Sequence, residues 1–336
     1  DKGNTQALCN LGFMYNKGKG FEKDNSKAIE YYQKAAEKGN TDALLNLGFI
    51  YEKGEGIKQD YSKAMKYYQQ AADKGNSNAL YNIGFLYENG KGVDKDINLA
   101  FEYYEESSKK GFPIAMLDMG NCYAKGKGVE RNETKAIKCY KSSAKKGNVD
   151  ALLILGKIYK VGKIVPKDYF KALNYYQQAA EKGNSEALYF LGFFYETGRG
   201  CIRDFKQAFD YYLKSADLGN ATAQQMVGFF YEKGLGTERN YDKAFHFYKQ
   251  SVEQGNSSAM YNLAHLYEKG LGTEKNYDKA FECYEFLSNQ GNSYALCNLG
   301  YLYETGKGVG VNFFKAIECF NKSANIFARS DCSPTI

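Results

Sequence analysis

GNTDALLNLGFIYEKGEGIKQDYSKAMKYYQQAADKG, residues 39–75, holds two helical patterns between two glycines. In the first, Ala43, Leu44, Leu47, Gly48 and Tyr51 recur at the spacing of one helix face. Asn40 precedes that run and is among the best N-caps, because its side-chain oxygen accepts from an orphan backbone N–H. Asp42 suits the positive end of the helix dipole. Gly54 ends the helix as a left-handed residue. Asp60 then caps a second helix, whose apolar face is Ala64, Tyr67, Tyr68, Ala71 and Ala72. Gly75 stops it and opens the next unit.

The same unit recurs along the chain. Gly3, Gly39, Gly75, Gly111, Gly147, Gly183, Gly219, Gly255 and Gly291 stand 36 residues apart. A fixed period of this length predicts stacked helical hairpins that share a core only with their neighbours. Counting each unit from its glycine as position 0, position 1 is Asn in eight of nine units. The exception carries Pro113 at position 2, and proline prefers the first helical position, which places the cap at position 1. Position 21 holds only Asp or Asn. Position 9 is glycine except at Ala264. Each mid-helix glycine costs about 1 kcal/mol, so a close neighbour is expected there. The paired aromatics at positions 28 and 29 are expected to fill the space between helices. The expected array spans 1–326, with a tail at 327–336 where Phe327 replaces the glycine.

Charge adds little direction. The net +6 comes from 45 basic and 39 acidic residues, interspersed, which is a solvated mixed surface. No apolar run approaches the roughly 18 residues that cross a bilayer. The chain opens inside a unit, at Asp1, so an excised piece of a longer protein is expected and any upstream leader is out of view. Of eight cysteines, Cys139, Cys283 and Cys319 replace aromatics at position 28, and no pair recurs between units. Reduced thiols, and with them a cytoplasmic location, are the reading.

The string A-L-x-N-L-G-F-x-Y-x-x-G-x-G…D-Y-x-K-A-x-x-Y-Y-x-x-A-A-x-K-G, clear at 43–75 and again at 259–291, resembles the Sel-1-like repeat, a relative of the tetratricopeptide repeat. The likeness covers essentially the whole chain. Two departures stand out: position 28 is never Trp, and Gly162-Lys163-Ile164-Val165-Pro166 lacks the second loop glycine. The resemblance implies an all-α fold, a right-handed α/α superhelical solenoid of nine 36-residue helix-turn-helix repeats, with first helices lining the concave face. It also implies a non-catalytic scaffold or adaptor for a protein or peptide. A cysteine-rich bacterial branch carries a disulfide in each unit, and the cysteines here do not follow it.

On the first helix, positions 5, 8, 9 and 12 are read as core, and positions 3, 6, 7, 10 and 14 as the opposite face. That face supplies the candidate contacts: Asn10, Phe13, Asn46, Phe49, Asn82 and Phe85 in one stretch, and Tyr189, Phe193, Phe229, Asn262, His265, Asn298 and Tyr301 in another. Amides can hold an extended backbone while rings supply apolar contact. The same rings could instead fill the seam between units, and both readings stand at this point. Asp118, Asn121, Ile154 and Lys157 interrupt the pattern, so two contact zones flanking an altered centre are expected.

Chemistry is sparse. His246 and His265 are the only histidines, on different helices, and no metal-ligand cluster, nucleophile elbow or phosphate loop occurs. No cofactor or metal is expected. The sequons at Asn132, Asn220, Asn256 and Asn321 are chance matches, with Asn132 and Asn220 among them at caps. A nucleic-acid-binding helical array is the first alternative, though the candidate face is mostly neutral and apolar. A hydrolase of the cysteine-rich branch is the second. End-to-end self-association is expected if the array ends lack polar caps.

Overall fold

The computed structural model describes residues 2–20 and 22–331. Every regular element among them is an α-helix. The helices form one hairpin per unit. The first four hairpins are α1 (Lys2–Lys17) with α2 (Asn25–Glu37), α3 (Thr41–Lys53) with α4 (Tyr61–Asp73), α5 (Ser77–Asn89) with α6 (Ile97–Lys109), and α7 (Pro113–Lys125) with α8 (Glu133–Lys145). The fifth unit holds α9 (Val149–Val161) and α10 (Tyr169–Glu181). Then come α11 (Ser185–Thr197) with α12 (Phe205–Asp217), α13 (Ala221–Lys233) with α14 (Tyr241–Glu253), α15 (Ser257–Lys269) with α16 (Tyr277–Asn289), and α17 (Ser293–Thr305) with α18 (Phe313–Asp331).

The capping logic holds at the predicted atoms. Asn40 Oδ1 accepts from the Ala43 N–H at 2.9 Å, and Asp60 Oδ1 from the Lys63 N–H at 2.9 Å. Phe112 makes no side-chain cap, and Pro113 follows it at the first helical position. Gly54 and Gly75 take φ of 72° and 88°, the left-handed conformation that stops each helix. Two ends depart from expectation. α1 begins at Lys2, so Asn4 lies within the helix instead of capping it. α18 runs on to Asp331, because Phe327 stands where the other second helices meet glycine. Residues 332–336 of the expected tail lie outside the described residues.

The core of a hairpin is narrow and aromatic. Ala43, Leu47 and Ile50 on α3 pack with Ala28, Tyr32 and Ala35 on α2 of the preceding hairpin, all at most 1% exposed. Burying a side chain of the size of Leu47 stabilises by about 1.5–3 kcal/mol. Position 11 (Ile50, Leu86, Phe194, Phe230, Leu266) is thus a core position that the sequence reading left out. Position 12 is core in part: Tyr123, Tyr159, Tyr231 and Tyr303 are buried as expected, and others are not. Tyr51 and Tyr87 are half-buried and stack on Tyr67 and Tyr103 of the paired helix, with centroids 5.6 and 5.8 Å apart. The first helix touches both its own partner and the neighbouring hairpin, so its buried arc is wider than one stripe.

Small residues admit the rings. A β-carbon at Gly12 or Gly84 would lie 2.8 Å from the ring of Tyr32 or Tyr104, closer than real β-carbons pack. Ser107, Ser143, Ser215 and Ser251 are fully buried at position 32. Each donates its hydroxyl to a backbone carbonyl in the first turn of its own hairpin's first helix, at 2.6–2.7 Å. Those serines therefore carry no unpaired polar group into the core.

The chain divides into two compact units, Asp1–Ile158 with Lys163–Val165, and Tyr159–Gly162 with Pro166–Ile336. The division falls in the fifth unit, whose loop is the one lacking the second glycine. Ile164 does not take the left-handed φ that Gly56 and Gly92 adopt, so this turn differs, as its sequence implied.

Candidate partner-binding face

In the first compact unit, Phe13 and Phe49 are 41% and 40% exposed, and Phe85 is half-buried. A cation lies over each ring: Lys19 over Phe13 at 5.4 Å, Lys53 over Phe49 at 5.5 Å and Lys91 over Phe85 at 4.9 Å. Asn10 is exposed and accepts from Gln6 at 3.2 Å. Asn46 is half-buried beside the Cys9 sulfur. Asn82 is half-buried and hydrogen-bonds the Tyr68 hydroxyl of the preceding unit.

The second compact unit repeats the arrangement with different residues. Phe193 and Phe229 are half-buried, lean edge-on against Phe194 and Phe230, and lie under Arg199 and Lys233 at 5.2 and 5.9 Å. Tyr301 is 41% exposed and carries Lys307 over its ring at 4.7 Å. Tyr189 is half-buried against Tyr212, with centroids 5.7 Å apart. His265 is half-buried. Asn298 donates to the Tyr261 hydroxyl at 3.1 Å, and Asn262 hydrogen-bonds the Tyr248 hydroxyl. Seam and surface are therefore not alternatives, because the rings of this face pack on one side and meet solvent on the other.

Beneath the rings runs a polar relay that the sequence reading missed. Tyr68 Oη donates to Glu52 at 2.8 Å, and Tyr104 Oη to Glu88 at 2.8 Å. Tyr212, Tyr248 and Tyr284 donate likewise to Glu196, Glu232 and Glu268 at 2.6, 2.8 and 3.3 Å. Glu52 is only 5% exposed, so the tyrosine hydroxyl satisfies a carboxylate that has largely left water. Burial, and then the neighbouring carboxylate, hold the phenols of Tyr68 and Tyr248 well above their ordinary value of 10.0. They stay neutral and donate to the carboxylates. The signal was present: a glutamate recurs sixteen residues before the second tyrosine.

The interruptions also have structural roles. Asp118 accepts from the Tyr81 hydroxyl at 2.9 Å and from Asn121 Nδ2 at 3.0 Å, and Asn121 in turn accepts from Tyr140 at 3.0 Å. Burial pushes the Asp118 carboxyl above its ordinary value despite both donors. At Tyr176 the relay fails. Lys160 replaces the glutamate, Phe190 replaces the asparagine and stacks on Tyr176 at 4.7 Å, and the buried Tyr176 hydroxyl has no hydrogen-bond partner. The Lys160 ammonium lies 4.0 Å from the Phe190 ring centroid.

Among the described residues no group of three or more His, Cys, Asp or Glu is placed to hold a metal ion. No described helix is long and apolar enough to cross a membrane. The seven described cysteines are free thiols.

A family model described as the Sel1 repeat matches residues 5–40, 41–76, 77–112, 113–148, 149–184, 185–220, 221–256, 257–292 and 293–325. None of the curated proteins matches the chain. Among solved structures, the chain is 30% identical to c5321, a protective antigen of uropathogenic Escherichia coli with an SLR fold, over 98% of this chain and 73% of that one, with a TM-score of 0.78. It is 25% identical to a Sel1 repeat protein from Oxalobacter formigenes, over 94% of this chain and 90% of that one, with a TM-score of 0.66.

Proposed function

The chain belongs to the Sel1 repeat family, and on that premise we propose that it is a non-catalytic scaffold that captures a protein segment along its first helices. The observation that carries this reading is the row of part-exposed rings. Phe13 and Phe49 keep about 40% of their surface in water, although neighbouring core positions are sealed. Rings held rigidly at the surface offer contact area at little entropic cost. The non-catalytic reading is supported by the fate of the carboxylates nearest the face. They are engaged by tyrosines whose phenols are held neutral, and among the described residues neither His246 nor His265 belongs to a group of three or more His, Cys, Asp or Glu placed to hold a metal ion.

Each compact unit has its own row, so each is a binding zone in its own right. Affinity capture with the full chain as bait tests the reading. Proteins retained by the parent array and lost by a Phe13→Ala/Phe49→Ala/Tyr301→Ala variant support it. Equal retention by both sinks it.

A further inference from the structure

We infer that the segment each row takes is acidic; this rests on the scaffold reading and adds the partner's charge. The first observation is a compensation between two positions. Position 14 ends the first helix and position 16 lies in the loop beyond it. Where position 16 is Glu55, Leu235 or Leu271, position 14 is Lys53, Lys233 or Lys269. Where position 14 is Asn89, Val161, Thr197 or Thr305, position 16 is Lys91, Lys163, Arg199 or Lys307. No unit lacks a cation at both.

The second observation is where these cations sit. In every unit whose position 10 is Phe or Tyr, one of them lies over that ring, from 4.7 Å at Tyr301 to 5.9 Å at Phe229. A helix dipole accounts for a cation near a helix end. It does not account for the ring beneath, nor for a charge that moves between two positions and keeps its seat. A ring with a cation on one face is a composite surface, apolar at its edge and positive above.

Such a surface fits carboxylates set among apolar side chains. Packed helices lie about 8–10 Å apart. An extended peptide advances about 3.3 Å per residue, so an acid at every third residue meets successive cations. A nucleic acid fits worse. Its bases need free ring faces, which the cations already cover. Its unbroken phosphates would also meet the glutamates next to those cations, such as Glu52 beside Lys53 at 3.3 Å and Glu232 beside Lys233 at 2.5 Å.

The test selects random sixteen-residue peptides from a display library on the full chain. Enrichment is then compared in a charge variant (Lys19→Gln/Lys53→Gln/Lys91→Gln), its charge-keeping counterpart with Arg at the same three sites, and a ring variant (Phe13→Ala/Phe49→Ala/Phe85→Ala). Acid-rich peptides are expected, with affinity about tenfold weaker on the Gln variant and kept on the Arg variant. Neutral or basic peptides that only the ring variant loses overturn the inference and leave the scaffold reading standing. No enrichment, or enrichment indifferent to all variants, overturns both. A single-stranded twenty-nucleotide probe that binds more tightly than the selected peptides also overturns both.

Discussion

The ring of Tyr248 leaves no room at Gly228: a β-carbon there would lie 2.7 Å from Tyr248 Cδ1. The single unit with a methyl at this position shows the consequence. Beside Ala264 the relay bond from Tyr284 to Glu268 stretches to 3.3 Å, against 2.6–2.8 Å where glycine is present. The glycine thus sets how deeply the tyrosine enters, and so how well it reaches its glutamate.

Gly228→Ala is therefore expected to destabilise despite better helix propensity. Overpacking costs about 1–3 kcal/mol and the propensity gain returns about 1. Urea unfolding is expected to show a net loss of up to about 2 kcal/mol. A raised midpoint would refute the close approach.

Two chemically identical changes are expected to differ in sign. Tyr68→Phe leaves buried Glu52 without its donor at 2.8 Å and is expected to cost about 1–3 kcal/mol. Tyr176→Phe removes a hydroxyl that already lacks a partner, and is expected to be neutral or stabilising by about 1 kcal/mol. Equal losses in denaturant titrations would show that the relay contributes nothing to stability.

Asn82 and Phe49 are expected to separate stability from binding. Asn82 supports the Tyr68 hydroxyl, so Asn82→Ala is expected to lower the unfolding free energy by about 1 kcal/mol. Phe49, 40% exposed, is expected to change the unfolding free energy by less than about 0.5 kcal/mol on replacement by alanine, while weakening capture. If Phe49→Ala unfolds the array and Asn82→Ala does not, the two roles are reversed.

The acid limb of stability is expected to depend on two caps. The Lys27 backbone N–H holds the Asp24 carboxyl below its ordinary value of 3.8, and the Lys171 N–H does the same for Asp168. A lowered folded-state pKa contributes stability that is fully present above the unfolded value and lost as pH falls through the folded one. Melting temperatures of the parent are thus expected to drop below about pH 4, and Asp24→Asn/Asp168→Asn to shrink that drop. A drop of unchanged size in the double variant would place the acid sensitivity elsewhere.

Repeated residues made most of the architecture legible. Asn40, Asp60, Gly54 and Gly75 act locally on the backbone next to them, so their spacing alone located the helices. The narrow approach at Gly48 was likewise predictable, although nothing in the linear pattern named the Tyr68 ring as the neighbour. The binding face was legible only in part. Phe13 is exposed and Phe229 half-buried although both stand at position 10, and helix periodicity does not encode that difference.

The chain's own order of residues determined the period, the caps, the helix ends and the all-helical class, because each rests on contacts within a few residues. Tertiary packing alone decided that Glu52 answers Tyr68, that Phe190 stacks on Tyr176, and that Tyr176 is left without an acceptor. Those outcomes join different helices of a hairpin or neighbouring units. They follow from where whole helices come to rest against each other.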